Sequence, residues 1–145
     1  GLAGLRLGLL VGRGEWLNEL EKIRLPYNIN ILTQASALFA LEHYDMLLVQ
    51  TEQIRVDRLL LMRDLDTVKG LEVFPSEANF VLVRTPANMA RNWFEELKQR
   101  KILIKCLDGG HELLKDCLRI TVGTTDQNDL LVSALAEISL SGSVH

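Results

Sequence analysis

Cysteine is scarce in this chain of 145 residues: Cys106 and Cys117 are the only two, and no histidine or further cysteine stands near them at the spacing of a zinc site. A metal site is therefore not expected. Both cysteines are expected reduced, as small apolar residues on strands. A nucleophilic pair of a cysteine with His111 is disfavoured, because His111 follows Asp108-Gly109-Gly110 in an expected exposed loop. An excess of charge is lacking too. The 16 Lys and Arg against 19 Asp and Glu leave a net charge of −3, which gives neither a basic surface for nucleic acid nor a polybasic membrane anchor. No apolar run approaches a membrane span and the amino terminus has no signal-peptide pattern, so a cytoplasmic protein is expected.

What is present is the make-up of an ordinary globular protein, with 48% hydrophobic and 24% charged residues, long enough to bury a real core. Residues 5–11 form an apolar run between glycines and read as a buried strand. Trp16, Leu17, Leu20 and Ile23 recur at helical spacing, and Pro26 ends that helix because proline disfavours helical dihedrals in the residue before it. Leu25-Pro26-Tyr27-Asn28 is a connector. A second helical stripe runs through Ile31, Leu32, Ala35, Leu38 and Phe39.

Between Met46 and Val68 there is neither glycine nor proline, and Leu47, Ile54 and Leu61 repeat every seven residues among charged ones. A long amphipathic helix is expected, either packed on one domain or bridging two bodies. Lys69-Gly70 stops it. Beyond it, residues 80–83 read as a strand, Ala90, Trp93, Phe94 and Leu97 as a helix, residues 102–104 as a strand, and the alternation of Leu118, Ile120 and Val122 as another. Thr124 and Gln127 have capping-box spacing at the head of a last helix carrying Leu131, Ala134, Leu135 and Ile138. The order β-α-β-β-α from about Leu71 onward is a compact α/β layer domain, and the Ser-Gly-Ser tail at 141–143 is expected to fray.

Four side chains stand out as candidates. Arg6 lies among glycines, where a backbone can approach a ligand closely and the planar guanidinium can grip a phosphate with two parallel bonds; taken alone it also reads as a strand-end cap. Arg119 points to the opposite face of its strand from Leu118, Ile120 and Val122, together with Thr121, where it is either a solvated edge residue or a ligand for an anion. Lys105, taken alone, reads as a solvated lysine at a strand end, a point charge that cannot make such a fork. Tyr27, taken alone, reads as a tyrosine packed at a helix-helix corner.

Three stretches lying far apart carry a resemblance: Gly1-Leu-Ala-Gly-Leu-Arg6-Leu-Gly8, Pro75-Ser-Glu-Ala-Asn79-Phe80, and Leu118-Arg119-Ile-Thr-Val-Gly123-Thr. Together they resemble the pyridoxal-phosphate aminotransferases of fold type I, most closely the histidinol-phosphate branch. The resemblance implies that residues 1–44 are the end of the large cofactor-binding domain, 45–69 a connecting helix and 70–145 the small carboxyl-terminal α/β domain. It also implies that Arg6 contacts the phosphate of pyridoxal phosphate, that Arg119 grips the α-carboxylate of an amino-acid substrate, and that Lys105 stands where these enzymes commonly have a phosphate-binding arginine. Tyr27 lies in a stretch that usually has two prolines before the tyrosine, the first of them replaced here by Leu25; in such enzymes the stretch lies near the active site and the dimer interface, so the resemblance implies that Tyr27 helps to build the substrate pocket. Asn79 reads as a structural strand residue.

By the same resemblance the intact enzyme is a homodimer that moves an amino group between histidinol phosphate and 2-oxoglutarate. The lysine that forms the Schiff base precedes Gly1 in such enzymes, and none of Lys22, Lys69, Lys98, Lys101, Lys105 or Lys115 has the motif's spacing. This sequence is thus expected to be a carboxyl-terminal fragment, inactive by itself. Rival readings are a threonine-phosphate decarboxylase or another aminotransferase of the same superfamily, or a non-catalytic α/β fragment that binds no cofactor.

Overall fold

The computed structural model describes residues 2–141, so Gly1 of the first motif and the Gly142-Ser143 tail lie outside the described residues. The chain divides into two compact units, 1–50 and 51–145. The division falls within one helix.

In the first unit a 3-10 turn, Leu2–Leu5, leads into a stretch without secondary structure, followed by α1 (Gly14–Ile23), α2 (Ile31–Glu42) and the start of α3 (Tyr44–Leu65). The side chain of Asn30 caps α2 by accepting the Thr33 N–H at 2.9 Å. Helix α1 ends at the sequence before Pro26, as the proline requires. The strand expected over residues 5–11 is absent. Leu9 and Val11 are 83% and 93% exposed, and among the described residues of the first unit there is no strand with which this stretch could pair. An apolar run indicates a tendency to be covered; a strand needs in addition a neighbour to satisfy its N–H and C=O groups.

The second unit holds the core. Helix α3 buries Leu61 and Leu65, and Ile54 and Leu47 are half-buried on the seven-residue stripe. Its end is a turn in which Val68 is buried and Gly70 takes a left-handed φ of 80°, a backbone conformation that side chains disfavour. Then follow β1 (Glu72–Val73), β2 (Phe80–Arg84), α4 (Ala90–Gln99), β3 (Lys105–Cys106), β4 (Cys117–Thr121) and α5 (Thr125–Ser141). The four strands make one antiparallel sheet in the order β1-β2-β4-β3, so β4 is inserted between β2 and β3, which run parallel to each other on either side of it.

Val81, Val83, Leu118 and Ile120 on one face of the sheet join Trp93, Leu97, Leu131, Leu135 and Ile138 of α4 and α5 in a single cluster. This is the α/β layer that the alternation on β4 predicts. Two details differ. The two-residue β1 was not expected, because Glu-Val carries no alternation to recognise. The strand expected over residues 102–104 is instead Lys105–Cys106. Ile102 and Ile104 pack against the core while Leu103 is 78% exposed, so the alternation there records a buried side; pairing with β4 begins only where Lys105 meets Arg119. At the head of α5, the Thr124 N–H donates to Gln127 Oε1 at 3.1 Å, one of the two bonds of a capping box.

Candidate functional site

Helices α4 and α5 pack on one face of the sheet, and the exposed side chains of β4 lie on the other. Along β4 the buried Leu118 and Ile120 alternate with the exposed Arg119 and Thr121. Arg119 lies between two neighbours in register, Leu82 on β2 and Lys105 on β3. Lys105 is exposed as well, which places two cations directly opposite each other on adjacent strands. The guanidinium of Arg119 also lies over the Phe80 ring, 5.4 Å from its centroid, within the range of a cation–π contact. Phe80 pairs with Thr121 one step along the ladder.

Among the described residues every arginine except Arg6, Arg13 and Arg119 pairs with a carboxylate. The contrast with Arg84 is instructive, since it begins on the same open face. Arg84 bonds Glu72 at 3.1 Å and the carbonyls of Lys115 and Leu113 at 3.3 and 3.1 Å, and lies over the Phe74 ring at 5.0 Å. Its donors are consumed in holding the loop before β4. Those of Arg119 are free to receive an anion from solvent, and Lys105, which has no carboxylate partner among the described residues, adds to the same positive field.

The loop between β3 and β4 is fixed by Asp108. Its carboxylate accepts the Asp116 N–H at 3.1 Å and pairs with Arg91 at 3.1 Å. The Asp116 N–H above all holds the carboxyl below its usual range; burial opposes it, and the Arg91 guanidinium adds to the lowering. His111 caps the short 3-10 turn Glu112–Leu114 by accepting the Leu113 N–H, and Cys117 is buried with its thiol directed at the Lys115 carbonyl. Neither has the geometry of a nucleophilic pair. No group of acidic, cysteine and histidine side chains suited to a metal ion occurs among the described residues.

Arg6 and Tyr27 belong to the first unit. Arg6 is exposed, with its backbone in the left-handed region at φ 54° and its N–H bonded to the Ala3 carbonyl. A Cβ added at Gly4 or Gly8 would meet nothing within 4 Å, so open space adjoins the guanidinium's flanking backbone. Tyr27 is 99% exposed, also in the left-handed region at φ 57°, an uncommon conformation for a bulky residue. It makes no hydrogen bond among the described residues.

Sequence reasoning missed Phe80 as a support for Arg119, and it missed Arg58. Arg58 is an arginine of α3 with a 6% exposed side chain that reaches the turn ahead of β2. The seven-residue stripe gave no sign of it, because the pattern of apolar residues says nothing about a buried cation.

The chain is similar to known proteins over nearly its whole length. A histidinol-phosphate aminotransferase of Nitrosococcus oceani is 53% identical over 135 residues, and one of Chromobacterium violaceum is 50% identical over 135 residues. Each match covers 93% of this chain, which spans 38% and 37% of the length of those relatives. Among solved structures, the histidinol-phosphate aminotransferase of Sinorhizobium meliloti in complex with pyridoxal-5'-phosphate is 30% identical with a TM-score of 0.73, over 86% of this chain and 34% of that one. Residues 1–135 match the family of class I and II aminotransferases, and with the match extending over nearly its whole length this chain belongs to that family.

Proposed function

We propose that this chain serves a pyridoxal-phosphate-dependent transamination between histidinol phosphate and 2-oxoglutarate, as part of a cytoplasmic homodimer. On this reading residues 1–44 are the end of the large domain, 45–69 the connecting helix and 70–145 the small domain. The observation that carries the proposal is the pair of exposed cations on the open sheet face, Lys105 opposite Arg119, in a chain about half identical to enzymes named for that substrate. Both reactants are anions.

The planar fork of Arg119 matches a carboxylate with two parallel charge-assisted bonds, and Phe80 beneath it limits where the fork can lie. Lys105 receives a phosphate as a point charge. Arg6 receives the phosphate of the cofactor, and the fit is supported by its unpaired guanidinium and by the open space at Gly4 and Gly8, which leaves the flanking backbone approachable. When bound, pyridoxal phosphate supplies the electron sink for amino transfer. Tyr27 helps to build the substrate pocket of the intact enzyme.

The test is a substrate panel with the intact enzyme that contains this chain. Turnover of histidinol phosphate with 2-oxoglutarate, well above turnover of phosphothreonine and of unphosphorylated amino acids, is the expected result. A preference for decarboxylating phosphothreonine would replace this reading with that of the decarboxylase.

A further inference from the structure

Arg58 is a costly residue to bury. Its side chain is 6% exposed, on the same helix as the core residues Leu61 and Leu65, and its Nε has no hydrogen-bond partner among the described residues. A buried ion pair is weak support for stability, and an apolar side chain of similar volume commonly packs as well or better. What an arginine adds is direction. Its Nη1 donates to the Ala78 carbonyl at 3.2 Å, and its Nη2 to the Glu77 carboxylate at 2.9 Å, so it grips the turn from both backbone and side chain. Glu77 is itself 96% exposed, which makes the buried end of the pair the anchored one.

The turn it grips leads directly into β2. Ser76 Oγ accepts the Ala78 N–H at 3.1 Å and donates to the Phe80 carbonyl, and the Val122 N–H donates to the Asn79 carbonyl at 3.0 Å. The turn is thus held on one side by Arg58 and on the other by the end of β4. Phe80 follows at once, with its ring under the guanidinium of Arg119. We infer that Arg58 is a positioning residue for the anion site: through the turn at 77–78 it fixes Phe80, and through Phe80 the place at which the Arg119 fork is presented. This rests on the reading of Arg119 as the carboxylate-binding group.

The experiment uses the intact enzyme that contains this chain, with labelled arginine, and three variants, Arg58→Met, Arg58→Lys and Glu77→Ala. Two quantities are measured: the ring-current shift that Phe80 imposes on the Arg119 Nε–H, by nuclear magnetic resonance, and the affinity for 2-oxoglutarate, by calorimetry. Arg58→Met is expected to collapse the ring-current shift and weaken binding about two- to tenfold, the range corresponding to one hydrogen bond. Arg58→Lys, which can still reach the Ala78 carbonyl, is expected to restore part of both. Should Arg58→Met fail to fold, Glu77→Ala carries the test, because that side chain is exposed: a reduced shift with an unchanged melting temperature supports the inference.

An unchanged Arg119 shift in the folded variants overturns it. If instead the parent and Arg119→Lys bind 2-oxoglutarate equally, the carboxylate role of Arg119 falls, while the ring-current shift still decides whether Arg58 positions it. The two failures are distinguishable.

Discussion

Lys105 and Arg119 are partners in the β3–β4 ladder, like charges opposite each other on a solvent-facing sheet surface with no carboxylate between them among the described residues. Like charges so placed destabilise a sheet, so the pair opposes folding slightly and favours binding an anion. Lys105→Glu therefore has two expected effects of opposite sign. At low salt the chain gains roughly 0.2–1 kcal/mol of stability from the new cross-strand pair, and its affinity for inorganic phosphate falls. Urea unfolding and phosphate titration measure the two, and a variant that loses stability contradicts the reading.

Arg119→Lys keeps the charge and loses the fork. In the intact enzyme it should raise KM for glutamate and for 2-oxoglutarate together, because both present a carboxylate of the same kind. A charge-assisted bond is worth about 1.5–3 kcal/mol, so the increase is on the order of tenfold to a hundredfold. Histidinol phosphate has no α-carboxylate, and its half-reaction should respond differently. Steady-state kinetics with the parent's values toward glutamate would sink the carboxylate role.

Arg6→Ala should act mainly on cofactor retention, since the phosphate loses a bidentate partner while no packed neighbour is disturbed at an exposed site. Equilibrium dialysis of pyridoxal phosphate from the intact enzyme measures this. An unchanged dissociation constant would make Arg6 a structural residue.

Asp108 sets an acid limit on the loop before β4. Its carboxyl is held below the usual range first by the Asp116 N–H and then by Arg91, so the folded state binds its proton less readily than the unfolded chain does. The stabilising contribution is complete above the ordinary carboxylate value of about 4 and is lost as pH falls through the lower value of the folded state. Asp108→Asn should therefore be less stable than the parent at neutral pH, and the difference should shrink on acidification below roughly pH 4. Melting temperatures followed from pH 7 downward give the comparison; a difference that widens in acid would contradict it.

Much of the second unit was legible in the sequence because its signals are local. Alternation along residues 118–122 gave β4 and the outward face of Arg119, helical spacing gave α4 and α5, and Thr124 with Gln127 marked the start of the last helix. The absence of glycine and proline over 46–68 gave the long helix, which runs from Tyr44 to Leu65. Where reading failed, the missing information was a partner. Residues 5–11 are as apolar as a strand and have none to pair with, and Ile102 and Ile104 alternate while the ladder begins at Lys105.

The sequence by itself thus determined the helices, the sidedness of the central strands and the motifs of the family, since each depends on neighbours a few residues away. Only the tertiary structure decided that Lys105 stands opposite Arg119, that Phe80 lies beneath its guanidinium, and that Arg58 reaches from α3 to the turn before β2. Arg58 and Ala78 are 20 residues apart and Lys105 and Arg119 are separated by a loop and a 3-10 turn. Such pairs are set by the insertion of β4 between β2 and β3 and by the packing of α3 on the sheet, and hydrophobic periodicity carries no record of which distant residues that packing will bring together.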